Sequence, residues 1–252
     1  MNAVIESLLA HRTVRSFRTD PIDEDDLRTI LEAGTRAATH FQPYSFLVID
    51  DRDLLAEIAP YETPAAILAA VDLHRFQQYM ALHEAEYPID SAMNLFLRYW
   101  DAVLALQNVV VAAESLGLGT VYIGEAPGMD LHEKLDLPAN VFPAGLVLIG
   151  HPAQEPPKDP RYRVPLDAVV HRNRYVEPTA EQLESWYGRY GEMFGKQFDG
   201  LPDDERATLA ERGIRNGLQH FCHSIANYHS SVDAGVIENL RRGGFGISDW
   251  GS

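Results

Sequence analysis

Lysine is nearly missing from this chain: Lys134, Lys158 and Lys196 are the only ones in 252 residues. Arginine supplies the rest of the 21 positive charges, against 37 carboxylates, for a formal net charge of −16. A general nucleic-acid binder, or a protein held to anionic lipid, needs a basic face; neither partner is expected here. Cysteine is reduced to Cys222, which excludes an intrachain disulfide. The opening MNAVIESLLAHR lacks a basic start followed by a long apolar run, so no signal peptide is read there. No stretch is read as approaching the roughly 18 apolar residues that span a bilayer. A soluble, cytoplasmic protein is expected. The G-x-S-x-G elbow, H-E-x-x-H and the P-loop are missing as well, and no local carboxylate pair stands out. The chemistry is therefore expected on a bound cofactor, with the protein supplying phosphate anchors and ring-edge hydrogen bonds.

What is present suffices for a core: 46% of the residues are hydrophobic. Residues 2–10 read as a short amphipathic helix. PIDEDDLRTILEAGTRAA starts a second, with Asp23 as N-cap and Asp26 three residues on. YSFLVID (44–50) reads as a buried strand, and PAAILAAVD (64–72) as a strand or a helix. Residues 91–116 form the longest helical pattern, capped by Asp90 or Ser91 and ended by Gly117. It is apolar nearly all round, which places it at the centre of a fold or in a subunit interface. GTVYIG (119–124) and AGLVLIG (144–150) read as two more strands with a short helix between them. HPAQEPPKDP (151–160) breaks regular structure, and after Pro178 the chain reads as a helical tail. The whole is a mixed α/β or α+β core, residues 1–178, with a helical extension over 179–252.

Four groups of residues can carry chemistry. In HRTVRSF, His11, Arg12, Thr13 and Arg15 follow a helix end. If extended, the stretch puts Thr13 and Arg15 on one face; if it turns, all four converge on one anion. An exposed basic turn pairing with Asp20, Asp23 and Glu24 is the competing reading. In RYRVPLD, Arg161 and Arg163 alternate along an extended segment and can clamp one phosphate, or stand as solvated charges beside Asp159. In THFQPYSF, Thr39, His40 and Gln42 offer hydroxyl, imidazole and amide to a polar ring edge, or simply cap a turn. The glycines of SLGLGTVYIGEAPG lead from a helix into a strand, the reverse of a Rossmann fingerprint; Gly124 ends the strand where a ligand can approach backbone. His220, Cys222 and His223 fit no standard zinc pattern, so no metal is expected.

HRTVRSF, THFQPYSFLVI, ALQNVVVAAESLGLGTVYIG, LPANVFPAGLVLIGHP and RYRVPLDAVVHRNRYV, in that order, resemble the nitroreductase family of FMN-dependent NAD(P)H oxidoreductases. The likeness is closest to its NfsA-like branch of larger, usually NADPH-preferring enzymes, and runs from residue 4 to about 178. It implies an α+β fold: a central, mostly antiparallel sheet flanked by helices, with a helical C-terminal extension, in an intertwined homodimer with two FMN sites at its interface. It implies that His11, Arg12, Thr13 and Arg15 contact FMN, with Arg15 near the N1/O2 edge of the ring. Thr39, His40 and Gln42 then come from the partner subunit or lie by the ring and ribityl chain. Ile123 and Gly124 face the ring near N5, and Arg161 and Arg163 hold the phosphate. No side chain acts as acid or base, because the chemistry is on flavin N5. The expected reaction takes hydride from NADPH or NADH and passes electrons to a small electron-poor acceptor such as a nitroaromatic, quinone or flavin, in ping-pong order. The branch's ring-binding Gln has no counterpart in APYETP, where Glu62 and Thr63 stand nearby. Arg206, Arg212 and Arg215 are the tail candidates for an NADPH 2′-phosphate. An FMN storage or sensor protein with little turnover is the alternative reading.

Overall fold

A computed structural model describes residues 2–155 and 162–246 of the chain. Helix α1 (Ala3–Ala10) is capped by the Asn2 side chain. Helix α2 (Glu24–Gly34) is capped by Asp23, whose carboxylate accepts from the amides of Asp25 and Asp26. Strand β1 (Tyr44–Ile49), helix α3 (Arg52–Ile58), strand β2 (Ala65–Asp72) and helix α4 (His74–Ala81) follow. Then come the long α5 (Ala92–Ser115), β3 (Gly119–Ile123), the short α6 (Leu131–Lys134) and β4 (Val141–Gly150). Three more helices complete the described chain: α7 (Ala180–Asp199), α8 (Asp203–Glu211) and α9 (Gly217–Arg242). The segment 64–72, open between strand and helix in the sequence, is a strand buried along its whole length.

The four strands pair antiparallel in the order β1-β2-β4-β3, which leaves β1 and β3 as edges. Along β2 successive side chains go to opposite faces. Ile67, Ala69 and Val71 join the core on the α5 side, while Ala66 and Leu68 join the core on the other. Both faces are covered, so the strand reads as continuous apolar sequence rather than alternating. In β4 the register slips opposite Ala69 and Ala70, which pair with Gly145 and Pro143 and leave Ala144 as the extra residue of a bulge. The bulge resets the parity: Phe142 before it, the bulged Ala144, and Val147 and Ile149 after it all reach the α5-side core. It also accommodates Pro143 within a central strand.

Helix α5 is capped by Ser91 and ends on Gly117 at φ +80°, a left-handed C-terminal glycine. By length and a mean hydropathy of 1.3 it is long and apolar enough to cross a bilayer, contrary to the reading that no stretch comes near this. In the fold it is the core helix, packing on α2 and on all four strands. Ala102, Ala105, Leu106, Val109 and Ala113 on its inner face are fully buried.

The chain falls into two compact units, 1–160 with 232–252 and 161–231. This division differs from one at residue 178, because the end of the chain belongs to the first unit. There Phe245 is 1% exposed within the α5-side core. Asn239 Nδ2 donates to the carbonyls of Pro127 and Met129 at 2.9 Å. A side chain at Gly235 would collide with the carbonyl of Gly128. The second unit has a small hydrophobic cluster of Phe198, Leu209 and Ile214, with Leu201 packed against them.

Candidate functional site

Residues 11–17 run extended beside the edge strand β3. The Val14 amide donates to Thr120 O at 2.9 Å, and Thr13 bridges Thr120 in parallel sense. Gly119 permits this approach, since a Cβ there would lie 2.7 Å from the Val14 side chain. Further on, Phe17 bridges Pro152 and the Arg18 amide donates to His151 O at 2.8 Å. Val14 and Phe17 therefore turn inward, while Thr13 and Arg15 face solvent. Arg15 makes no hydrogen bond or ion pair among the described residues. His11 and Arg12 are engaged differently. His11 Nδ1 lies 2.7 Å from Glu114 Oε1, which also accepts from Thr120 Oγ1 at 3.0 Å. Arg12 Nη1 donates to the carbonyls of Ala10 and His11 at 2.7 and 2.8 Å, closing the end of α1.

The far end of β3 carries the next candidates. Ile123 is buried in the core opposite α5. Gly124 is exposed, with open space where a Cβ would sit. Between them and Thr120 stands Tyr122, whose hydroxyl donates to Gln107 Oε1 at 3.1 Å. Burial, with the Glu114 carboxylate adding to it, pushes this phenol up to about 12, so it stays neutral.

Thr39, His40 and Gln42 lie in the loop between α2 and β1, the opposite edge strand. Gln42 sits in the left-handed region at φ 53°, and its amide donates to Thr39 Oγ1 at 3.1 Å. Arg75 Nη2 on α4 donates to the carbonyls of Gln42 and Tyr44 at 3.0 and 2.9 Å. Phe41 stacks on Phe76 with ring centres 4.2 Å apart, and the Arg98 guanidinium lies 4.6 Å from the Phe41 centroid. Arg98 is 7% exposed and pairs with Asp101 Oδ2 at 3.0 Å. Burial pushes the Asp101 carboxyl up from its ordinary value, while Arg98, the Thr39 hydroxyl and the His40 imidazole each pull it down. Arg98, Asp101, Arg75 and Glu114 were missed in the sequence. The available signal was a cation and a carboxylate one turn apart in a helix otherwise apolar.

The 11–15 stretch and the end of β3 are thus on one strand edge, and the 39–42 loop leads into the other. Three strand spacings of about 4.8 Å each separate the two edges. Of the phosphate candidates, Arg161 lies outside the described residues. Arg163, in the second unit, is exposed, and its Nη1 donates to Tyr162 O at 3.3 Å. In the same unit Arg206 pairs with Asp203, whereas Arg212 and Arg215 are exposed around the turn at Gly213. A cleft of about 1140 Å³ in this unit is walled by Tyr187, Tyr190, Phe194 and Phe221 over Gly188, Gly191 and Gly195. In the first unit Thr63 Oγ1 donates to Ala65 O at 2.9 Å, and Glu62 lines a shallow cavity of about 690 Å³ with Tyr61 and Arg52. No group of three or more metal-ligating side chains occurs among the described residues.

Compared with known proteins, residues 8–151 match the family described as the nitroreductase family. An FMN reductase (NAD(P)H) of Bacillus subtilis is 32% identical over 98% of this chain and 99% of its own length. An NADPH-flavin oxidoreductase of Vibrio harveyi is 32% identical over 74% of this chain and 80% of its own. Among solved structures, the hypothetical oxidoreductase YcnD of Bacillus subtilis superposes with a TM-score of 0.77 at 31% identity, covering 98% of this chain and 99% of its own. The NADPH:FMN oxidoreductase of Vibrio harveyi complexed with NAD+ gives 0.68 at 27% identity, covering 85% and 99%.

Proposed function

Because the chain belongs to the nitroreductase family, we propose that it is an FMN-dependent oxidoreductase that oxidises NADPH or NADH and reduces a small electron-poor acceptor. The observation that carries this reading is the β3 edge. A cation without a partner among the described residues (Arg15) and an exposed hydroxyl (Thr13) stand along it, and open backbone at Gly124 ends it. In an acidic protein such a cation is a focus for an anion, and the donor set suits a phosphorylated, electron-rich ring. FMN, when bound, supplies a ring that accepts hydride at N5 and yields it to the acceptor. Arg15 provides positive charge at the N1/O2 edge, where it favours the reduced ring. Thr13, His11 and Arg12 line the site, with His11 and Arg12 held in place by Glu114 and by the end of α1. Ile123 and Gly124 offer backbone near N5, and Arg161 and Arg163 hold the phosphate.

The 39–42 loop at the opposite sheet edge supports a site completed by a second copy of the chain, in which Thr39, His40 and Gln42 reach the partner's flavin. Exposed apolar residues support such a pairing. Met93, Phe96, Leu97, Trp100 and Leu104 form an exposed apolar stripe along α5, and Val4, Leu8 and Leu9 expose another on α1. Patches of this kind mark interaction sites, and a two-fold pair is the commonest closed arrangement. Donor and acceptor use the one open site in turn. The donor's 2′-phosphate, where there is one, is expected at Arg212 or Arg215 rather than at Arg206, which is tied to Asp203.

The test is the visible spectrum of the purified protein and its anaerobic bleaching by NADH and NADPH in separate titrations. Fast bleaching supports turnover, and the ratio of the two rates identifies the donor. Bound FMN that bleaches slowly would make the chain a flavin store. A colourless protein that takes up no FMN would overturn the reading altogether. Arg15→Ala is expected to slow bleaching at least tenfold, and Trp100→Glu to convert dimer to monomer in sedimentation.

A further inference from the structure

We infer that Arg98 and Asp101, one turn apart on α5, are positioning residues that set the 39–42 loop and so aim Thr39 and His40 at the flavin. The inference rests on the reading above that this loop meets FMN. Its basis is an arrangement that stability alone explains poorly. A guanidinium 7% exposed is costly to bury, and well-packed apolar residues often replace such an ion pair with no loss of stability. Arg98 Nε is moreover buried without a partner among the described residues. What the pair does is grip the loop from below. Arg98 takes Phe41 against its guanidinium at 4.6 Å and Asp101 against its Nη1 at 3.0 Å. Burial pushes the Asp101 carboxyl up, and Arg98 first, then the Thr39 hydroxyl and the His40 imidazole, pull it back down, which ties its charge to this loop. Thr39 Oγ1 then accepts the Gln42 amide at 3.1 Å.

The grip is needed because the turn is unfavourable by itself. Gln42 at φ 53° occupies a region that a side chain makes costly. From the other side Arg75 fixes the carbonyls of Gln42 and Tyr44. Arg75 thus fixes where the loop ends, and Arg98 with Asp101 fixes which way its side chains point. A planar guanidinium suits this task because it can lie against the Phe41 ring while one of its nitrogens donates to Asp101.

The test compares Asp101→Asn, the double variant Arg98→Met/Asp101→Asn, and Thr39→Val. Three quantities are read: the melting temperature, amide hydrogen exchange of a peptide spanning residues 36–43 in flavin-free protein, and the Kd for FMN from fluorescence quenching. The expected result is exchange in that peptide at least tenfold faster in all three variants, and an FMN Kd raised about tenfold. In the double variant these defects persist although the melting temperature returns to that of the parent. Adding Asp101→Asn to Thr39→Val is expected to change little further, since both act through one link. Parent-like exchange in the 36–43 peptide would overturn the inference, as would exchange accelerated equally along α5. A parent that binds no FMN would sink the functional reading instead, and the exchange measurement would still decide the positioning.

Discussion

The two units of the chain solve the burial problem differently. In the first, β2 and the inner face of α5 are sealed, and Ile67, Leu68, Val71, Leu106 and Val109 have no accessible surface. In the second, the buried hydrophobic side chains among the described residues are Phe198, Leu209 and Ile214, each still 7–9% exposed, while Leu183, Tyr187, Leu218 and Phe221 remain 39–52% exposed. Helices gain most of their stability from packing an apolar face, and the first unit has that packing within itself. The second keeps an apolar face open around its aromatic cleft. The sheet unit thus seals a core within itself and leaves apolar stripes open on α1 and the outer side of α5, whereas the helical unit leaves most of its apolar face open.

The sealed core of the first unit is the most sensitive to truncation. Phe245→Ala is expected to cost about 3–5 kcal/mol, and Leu68→Ala about 2–5 kcal/mol, through lost burial and residual cavity; urea unfolding would measure both. Losses under 1 kcal/mol would mean that the core is looser than its burial says. Next in size is limited proteolysis, in which the first cuts are expected within 161–231 and the sheet unit persists longer. A first cut in α5 would reverse the ranking. Leu218→Ser, on the open face of the second unit, should stay within about 0.5 kcal/mol in the monomer. A larger loss would show that this face is covered after all.

The smallest effect is one of pH. Burial lowers the pKa of His132 below its ordinary 6.5, with Arg242 adding to it, and Leu137 O, Asp130 and Glu238 oppose the shift. The unfolded chain therefore binds this proton first. Stability from the neutral ring is complete above pH 6.5 and is lost as pH falls from there through the lowered value. His132→Leu should flatten the melting temperature over that window, and an unchanged slope would remove His132 from the account.

Much of the sheet unit was legible in the sequence because its signals are local. Asp23 and Ser91 cap the helices they precede, Gly117 ends α5, and the apolar runs at 44–50, 119–124 and 144–150 are strands. The short helices α3 and α4 have no counterpart in the sequence reading. The bulge at Ala144 was invisible because it depends on pairing with β2. At the site, exposed Thr13 and Arg15 follow from simple alternation. The engagement of His11 by Glu114 does not, because 103 positions separate the two. The left-handed turn at Gln42 is held by Arg75, 33 positions away, and no periodicity announces such a contact.

The return of residues 232–246 to the first core makes the helical unit an insertion anchored at both ends. Such a segment is a closed loop, and the entropy of closing one grows only with the logarithm of its length, about 0.6 kcal/mol per doubling. The scaffold therefore barely registers how long the insertion is or what it contains. Residues 161–231 can be rebuilt, shortened or exchanged for another segment while β2 and α5 stay as they are. Cutting the chain at their start instead would remove Phe245 and leave a hole in the scaffold itself.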